Sequence, residues 1–300
     1  MQSRTTTLDG TPLRWLEQGS GTPVVLVHGI PTSPALWRHV VPLLPELRVL
    51  AFEMTGYGDS IPAGEGRDLS LGAQADRLNA WIEHLDLGPV PLVGHDLGGG
   101  VVHIAAIRRP DLCAGLMITN GVGYDSWPIP SVKAMRATAP LLARLPAAAL
   151  KPALGVLLAR GHDDRARAEE SLGVHLRPYA EHGGGAAMAR QVSALDVRDT
   201  LAVQDRLPTL RLPARVVWGV ADQFQKIEYG ERFARDLGTT VRRIEGGKHF
   251  TPEDHPDVIA AEIRSLVGAE GHRCDRRLLR DESAGQPSTI SAPRDGEEDK

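Results

Sequence analysis

VGHDLGGG, residues 93–100, decides how the rest of the chain reads. Gly94-His95-Asp96-Leu97-Gly98 has the G-x-Nu-x-G spacing of a nucleophile elbow, in which a strand ends in a sharp turn and a helix starts at once. Glycines flank the central position because the turn strains its backbone and the helix packs close to the strand. Serine is the usual occupant of that centre. Here it is an aspartate, and the chemistry open to the chain depends on what a carboxylate does that a hydroxyl does not.

Outward from the elbow, short apolar or β-branched runs recur between turn residues: VVLVHG (24–29), VLAFE (49–53), VPLVGH (90–95), GLMITN (115–120), ARVVWG (214–219) and TVRRIEG (240–246). Amphipathic stretches such as LSLGAQADRLNAWIEHLDL (69–87) and VVHIAAIRRP (101–110) separate most of them. Continuous apolar strands alternating with helices predict an α/β chain built on a mostly parallel sheet covered on both faces. TTTLDGTPLRWLEQG (5–19) predicts an antiparallel hairpin at the sheet edge, turned at Asp9-Gly10.

The alternation stops after Asn120. From 126 to 205 the chain is rich in Ala, Leu and Arg, with nothing that reads as a strand, so a helical lid inserted between the sixth and seventh strands is expected. That leaves 1–125 and 206–268 as the core. Residues 269–300 are polar and rich in Ser, Pro and Asp, and predict a disordered tail.

A net charge of −4 over 300 residues points to neither nucleic acid nor a membrane surface as partner. The N-terminus MQSRTTTLDG has no apolar leader, and no stretch approaches the length of a membrane span. A soluble cytoplasmic protein is expected, monomer or homodimer. The two cysteines, Cys113 and Cys274, suggest neither a disulfide nor a metal site. There is no phosphate-binding loop and no pair of histidines at metal-binding spacing on a helix, so no cofactor and no metal are expected.

Four segments supply chemistry together. VHGIPTS (27–33) follows a strand and donates a backbone N–H, that of Ile30, to an oxyanion hole; Leu97, after the elbow centre, donates the other. The elbow places Asp96. VVWGVADQF (216–224) places Asp222 just beyond a strand, and RIEGGKHFTPEDHPD (243–257) places His249 on a loop after the last one. Alone, each signal is weak. Gly and Asp are ordinary turn residues, a single histidine is commonly a surface or capping residue, and Asp222 could be a helix N-cap. In the order nucleophile, acid, histidine, each beyond the carboxyl end of a strand, they form a triad. His95 is expected to point away from the nucleophile and pack.

With HGIPTSPALWRHVVPLL (28–44), GYGDS (56–60), GHDLGGG (94–100) and GGKHFTPEDHPD (246–257), the chain resembles the α/β-hydrolases, and within them the haloalkane dehalogenase and epoxide hydrolase branch. The resemblance spans residues 8 to 266, and the aspartate in the elbow is its most specific element. It implies the α/β-hydrolase fold with an inserted helical lid, Asp96 as nucleophile, His249 as base and Asp222 as its orienting acid. Some members of that branch carry the acid after the preceding strand. That strand here ends in Asn120, which favours Asp222, with Asp125 as the fallback.

A carboxylate is already ionised near neutral pH and needs no base to attack. At an ester carbonyl its product would be a reactive anhydride. At an sp3 carbon bearing a leaving group the product is an ordinary alkyl ester. Water activated by His249 can then cleave that ester, and the Ile30 and Leu97 N–H groups stabilise the tetrahedral intermediate. Carbon–halogen or epoxide opening, on a small apolar organic substrate, is therefore expected.

The leaving-group donors are not readable. Many haloalkane dehalogenases place a tryptophan after the nucleophile and an asparagine or second tryptophan elsewhere; this chain has Leu97 and Ile30 at those positions. The arginines of the haloacetate dehalogenases are absent beside Asp96 as well. Tyr124, Trp127, His175 and Tyr179 are the candidate donors or lid contacts, each equally able to serve packing. Glu53 stands where an aspartate-led segment is usual, and a polar contact at the strand end is its simplest role. Other classes stay open at this level: an ester or lactone hydrolase, a lyase, isomerase or cyclase on the same scaffold, or a small-molecule receptor.

Overall fold

The apolar runs form eight strands of one sheet in the computed structural model, which describes residues 1–283, with side chains followed to residue 269. The strands are β1 (Gln2–Leu8), β2 (Thr11–Gln18), β3 (Thr22–Val27), β4 (Leu47–Glu53), β5 (Val90–His95), β6 (Cys113–Thr119), β7 (Ala214–Gly219) and β8 (Val241–Ile244). Their spatial order is β1-β2-β4-β3-β5-β6-β7-β8. β1 and β2 make the edge hairpin, with Asp9 and Gly10 both at positive φ as a tight two-residue turn requires. β2 also runs antiparallel to β4, and every other pairing is parallel.

Parallel strands need crossovers, and helices supply them. The core helices are α1 (Leu71–His84) and α2 (Leu97–Arg108). Between β6 and β7 the chain makes α3 (Pro130–Ala137), α4 (Ala139–Leu142), α5 (Ala147–Gly161), α6 (Arg165–His182), α7 (Gly184–Ser193) and α8 (Arg198–Leu201). No strand occurs in that interval. α9 (Ile227–Asp236), α10 (Thr251–Asp254) and α11 (Pro256–Ser283) complete the chain. The polar run expected to lose order from 269 onward is entered by the backbone of α11, which continues to Ser283; residues 284–300 lie outside the described residues.

Side chains alternate across each strand, so the central strands feed two apolar layers. Val25, Val27, Leu50, Phe52, Leu92 and Ile118 face α1 and α2, while Val24, Leu26, Val49, Ala51, Val93 and Met117 face Trp37 and α11. In the first layer the Trp81 ring of α1 lies 5.3 Å from that of Trp15 and 5.0 Å from that of Phe52. Truncating such an aromatic costs about 3–5 kcal/mol. α2 is buried from Leu97 to Ile107 and carries no charge until Arg108, because sheet and neighbouring helices cover it all round.

Strand order reverses at β3, with β4 on one side and β5 on the other. A crevice opens at such a switch point beyond the carboxyl ends of the strands. The loop after β3 and the elbow after β5 meet there. Glu53, at the end of β4, is buried and accepts a 3.0 Å bond from Arg14 of β2, a structural contact at the strand end.

Candidate active site

Asp96 has φ +51° and ψ −121°, a conformation strained for any residue but glycine. Its neighbours explain how the strain is held. A Cβ on Gly94 would lie 2.3 Å from the Gly98 carbonyl oxygen, and one on Gly98 would lie 2.1 Å from that of Val27. Only glycine at both positions lets α2 start hard against β3 and β5.

The elbow aims Asp96 into the crevice. Its Oδ2 accepts the Ile30 N–H at 2.8 Å, and the Leu97 N–H also bonds the carboxylate. Both N–H groups expected in an oxyanion hole thus meet the elbow carboxylate. Its other oxygen, Oδ1, lies 3.9 Å from His249 Nε2. His249 Nδ1 donates to Asp222 Oδ2 at 2.8 Å. Asp222 Oδ1 accepts the N–H groups of Phe224 at 2.7 Å and Gln225 at 3.1 Å, so the same side chain also closes the turn before α9. The three residues are brought together as a line of side chains, all at least nine-tenths buried. Asp125, the fallback acid, is instead in reach of the Tyr229 hydroxyl at 3.3 Å.

Burial pushes the Asp96 carboxyl above the ordinary aspartate range, although the His249 charge and the two N–H bonds pull the other way. Burial alone would lower His249, but the Asp222 charge and hydrogen bond, with Asp96 beside it, outweigh that and raise its pKa. His95 is held neutral by burial, its pKa well below the usual value. Its Nε2 lies 2.9 Å from the His249 carbonyl, which can only accept, so Nε2 carries the proton. His95 is therefore more than packing: it fixes the backbone of the histidine loop.

The same loop is held from the opposite side by the helical segment. The N–H groups of His249 and Phe250 both donate to the carbonyl of Gly161, the last residue of α5, at 2.9 and 3.1 Å. His162 stacks on Phe250 at 4.6 Å and bonds Asp254 at 2.9 Å. The buried Glu253 carboxylate receives Arg38 and, at 2.9 Å, His175 Nε2, with His162 Nε2 3.2 Å away. Burial alone would raise its pKa; those bonds and the Arg38 charge instead hold it well below the carboxylate range.

Asp96 and His249 open on a pocket of about 50 Å³, walled by Leu97, Val122, Trp127, Val132, Leu157 and Phe224 among others. That volume holds a few waters, so a larger substrate enters only if the helices above it shift. Of the expected donors, Trp127 alone reaches the wall, and its indole N–H is already given to Thr200 at 2.8 Å. The Tyr124 hydroxyl donates to Asp236 and its ring lies under Arg232, the Tyr179 hydroxyl donates to Gln191, and His175 holds Glu253. None of these three lines the pocket.

Two groups that sequence reasoning passed over stand out. Gln225 lines the pocket, its backbone pinned to Asp222 and Trp218, while its side-chain Oε1 has no partner. Its place three residues after Asp222 was the available signal. Asn120, at φ +43°, donates from Nδ2 to Asp222 Oδ2 at 2.6 Å and accepts the Gly219 N–H and the Thr251 hydroxyl on its Oδ1. The Tyr57 hydroxyl is buried and unpartnered, its ring edge-on to His28, but it does not line the pocket. Among the described residues one group, Asp59, Glu181 and His182, brings three metal-type ligand atoms within 4.8 Å. Asp59 already receives Arg14 and Arg177 there, which makes it a salt-bridge centre.

The comparisons agree with this geometry at the level of fold. A family model described as the α/β hydrolase fold matches residues 22–170. Haloalkane dehalogenase 2 of Mycobacterium tuberculosis is 28% identical over 272 residues, covering 85% of this chain and 91% of that one. Soluble epoxide hydrolase of Corynebacterium sp. is 35% identical over a shorter 129 residues, 41% of this chain and 44% of its own. A solved α/β hydrolase fold protein from Burkholderia ambifaria superposes with a TM-score of 0.80 at 26% identity, covering 87% of this chain and 96% of that one.

Proposed function

This chain belongs to the α/β hydrolases, and on that premise we propose that it opens a carbon–halogen bond or an epoxide at an sp3 carbon through an ester to Asp96. The observation that carries the reading is the division of labour between the two oxygens of Asp96. Oδ2 accepts the Ile30 N–H, with the Leu97 N–H also on the carboxylate, while Oδ1 is the oxygen 3.9 Å from His249 Nε2.

In the first step Oδ1 attacks the substrate carbon and the carbon–leaving-group bond takes its electron pair away. The product is a neutral alkyl ester, which no longer pairs with His249. In the second step a water between His249 Nε2 and the ester gives its proton to the histidine and attacks Cγ of Asp96. Charge then develops on Oδ2, which the Ile30 N–H already holds, with the Leu97 N–H as the second donor to the carboxyl group. Asp222 keeps the proton of His249 on Nδ1 and balances the imidazolium. Collapse breaks the Cγ–Oδ1 bond: the alcohol or diol leaves with Oδ1 and the proton of the intermediate's hydroxyl, the water oxygen replaces Oδ1 in the carboxylate, and His249 gives up its proton to solvent. A serine esterase would need the histidine to activate its nucleophile; a carboxylate leaves it free for water.

The hydrogen-bonding inventory of the pocket favours a halide. A departing halide needs N–H groups, whereas an epoxide oxygen needs a proton. Gln225 is the side-chain amide among the lining residues, a group whose NH2 serves the first and not the second, and no tyrosine lines the wall. The substrate body is small and apolar, as the lining is.

Intact mass of His249→Gln after exposure to haloalkanes and epoxides tests the proposal. An adduct at Asp96 equal to substrate minus HX is expected, and addition of a whole molecule would assign an epoxide. No adduct across both panels, with turnover retained by the wild-type chain, would remove Asp96 from the nucleophile role.

A further inference from the structure

The charge of the whole chain conceals a segregation. Residues 126–162 hold five cationic side chains, Lys133, Arg136, Arg144, Lys151 and Arg160, and no Asp or Glu, in a protein with more acids than bases overall. All five are exposed, and none forms an ion pair among the described residues. Arg136 donates to the Leu195 carbonyl, and Arg160 to Gln223 with its guanidinium over Phe224, which leaves Lys133, Arg144 and Lys151 as the cations turned to solvent. Apolar side chains are exposed on the same helices. α3, α4 and α5 pack on α7, and α5 also on α6, burying Leu150, Leu154 and Leu158. The opposite arc of α5 shows solvent Ala148, Ala149, Pro152, Ala153 and Val156 around Lys151. Val156 is 63% exposed, and Leu141 on α4 is 65% exposed. An ordinary surface helix turns polar residues outward, so an apolar outer arc carrying a cation, in a segment without acidic side chains, marks a contact surface.

We propose that this face of the α3–α5 segment docks on an anionic phospholipid surface, with Leu141 and Val156 in the headgroup boundary and Lys133, Arg144 and Lys151 over the lipid phosphates and carboxylates. The helices are short and lie along the surface; no helix of the described residues is long and apolar enough to cross a membrane. Charge selects the occupant. A two-fold contact between copies would set this cationic patch against itself, which like charges oppose. An acidic protein partner would need aromatic anchors or hydrogen-bonding groups that an Ala, Pro, Leu and Val arc does not provide. An anionic bilayer asks only for cations and apolar side chains of shallow reach. The docking face and the pocket share helices, since Val132 of α3 and Leu157 of α5 line the pocket wall. An apolar substrate dissolved in lipid would thus meet the enzyme on the side where it binds. The inference does not depend on Asp96 being the nucleophile.

Co-sedimentation of the full chain with phosphatidylcholine vesicles, and with vesicles that also contain phosphatidylserine, tests it. Binding to the mixed vesicles alone, weakened by salt, is expected. The double variant Arg144→Gln/Lys151→Gln should bind about 30-fold more weakly, and Leu141→Asp/Val156→Asp should lose binding while melting like the wild-type chain. No binding to the mixed vesicles at low salt would overturn the proposal, as would binding that neither double variant weakens. A wild-type dimer that Leu141→Asp/Val156→Asp converts to monomer, without vesicle binding, would reassign the face to a second copy.

Discussion

Asn120 Nδ2 donates to Asp222 Oδ2 at 2.6 Å, on the same oxygen that accepts His249 Nδ1 at 2.8 Å. The end of β6 therefore steers the acid that β7 carries, and the left-handed backbone at Asn120 is what turns its amide inward. Asn120→Ala leaves that oxygen one donor short. A hydrogen bond to a charged group contributes about 1.5–3 kcal/mol, so ester hydrolysis should slow about ten- to hundredfold, while alkylation of Asp96 stays near the wild-type rate. Single-turnover kinetics separates the two steps; equal loss in both would show that Asn120 acts on the elbow instead.

In the proposed reaction Gln225 receives the leaving group. Gln225→Leu removes the side-chain amide from the wall and should depress alkylation by haloalkanes about ten- to hundredfold, with hydrolysis of the preformed ester unchanged. Rapid-quench measurement of the two rates decides it. An unaffected alkylation rate would take Gln225 out of the reaction.

The two raised pKa values set a pH window for the proposed reaction. There Asp96 attacks only when ionised, so alkylation should fail as pH falls through a value above 3.8. His249 accepts the water proton only when neutral, and in the ester it keeps the Asp222 charge and bond but loses that of Asp96, so hydrolysis should rise with pH through its titration. Between the two the alkyl ester should accumulate, visible as a burst of released leaving group at mildly acidic pH that shrinks as pH rises. A burst that grows on the alkaline side would contradict the roles assigned to both residues.

Glu253 ties Arg38, His162 and His175 into one buried cluster. Its pKa is depressed in the folded chain, so its contribution to stability is present above pH 4.5 and is lost as pH falls through the lower folded value. Glu253→Ala takes a buried partner from Arg38 and His175, while Arg38 keeps Glu170 and His162 keeps Asp254, and should cost about 1–3 kcal/mol. Urea unfolding across the acid range should show both the lower plateau and a flatter acid limb. An unchanged midpoint at neutral pH would mean the cluster adds no net stability.

What was legible before the fold followed from short-range constraint. The elbow glycines, the strand-end positions of Asp222 and His249, and the placing of the Ile30 and Leu97 N–H groups beside Asp96 are dictated by local backbone geometry, which spacing records. The destinations of lid side chains are not. Tyr124, His175 and Tyr179 have suitable chemistry, yet helix packing gives their polar tips to Asp236, Glu253 and Gln191. Gln225 reaches the pocket because Asp222 bends the chain just before it. Such outcomes depend on contacts between segments far apart in sequence, which no local pattern encodes.

The carbonyl of Gly161 receives two backbone donors from the loop that carries His249. A Cβ at Gly161 would lie 2.5 Å from the Phe250 ring, so the fit tolerates no side chain there. Lid and histidine loop have thus been shaped as a pair rather than as interchangeable parts. A chimera that borrows the lid of a relative inherits a new pocket wall together with a new anchor for the histidine, and grafts whose junction spares Gly161-His162 should be the ones that keep working.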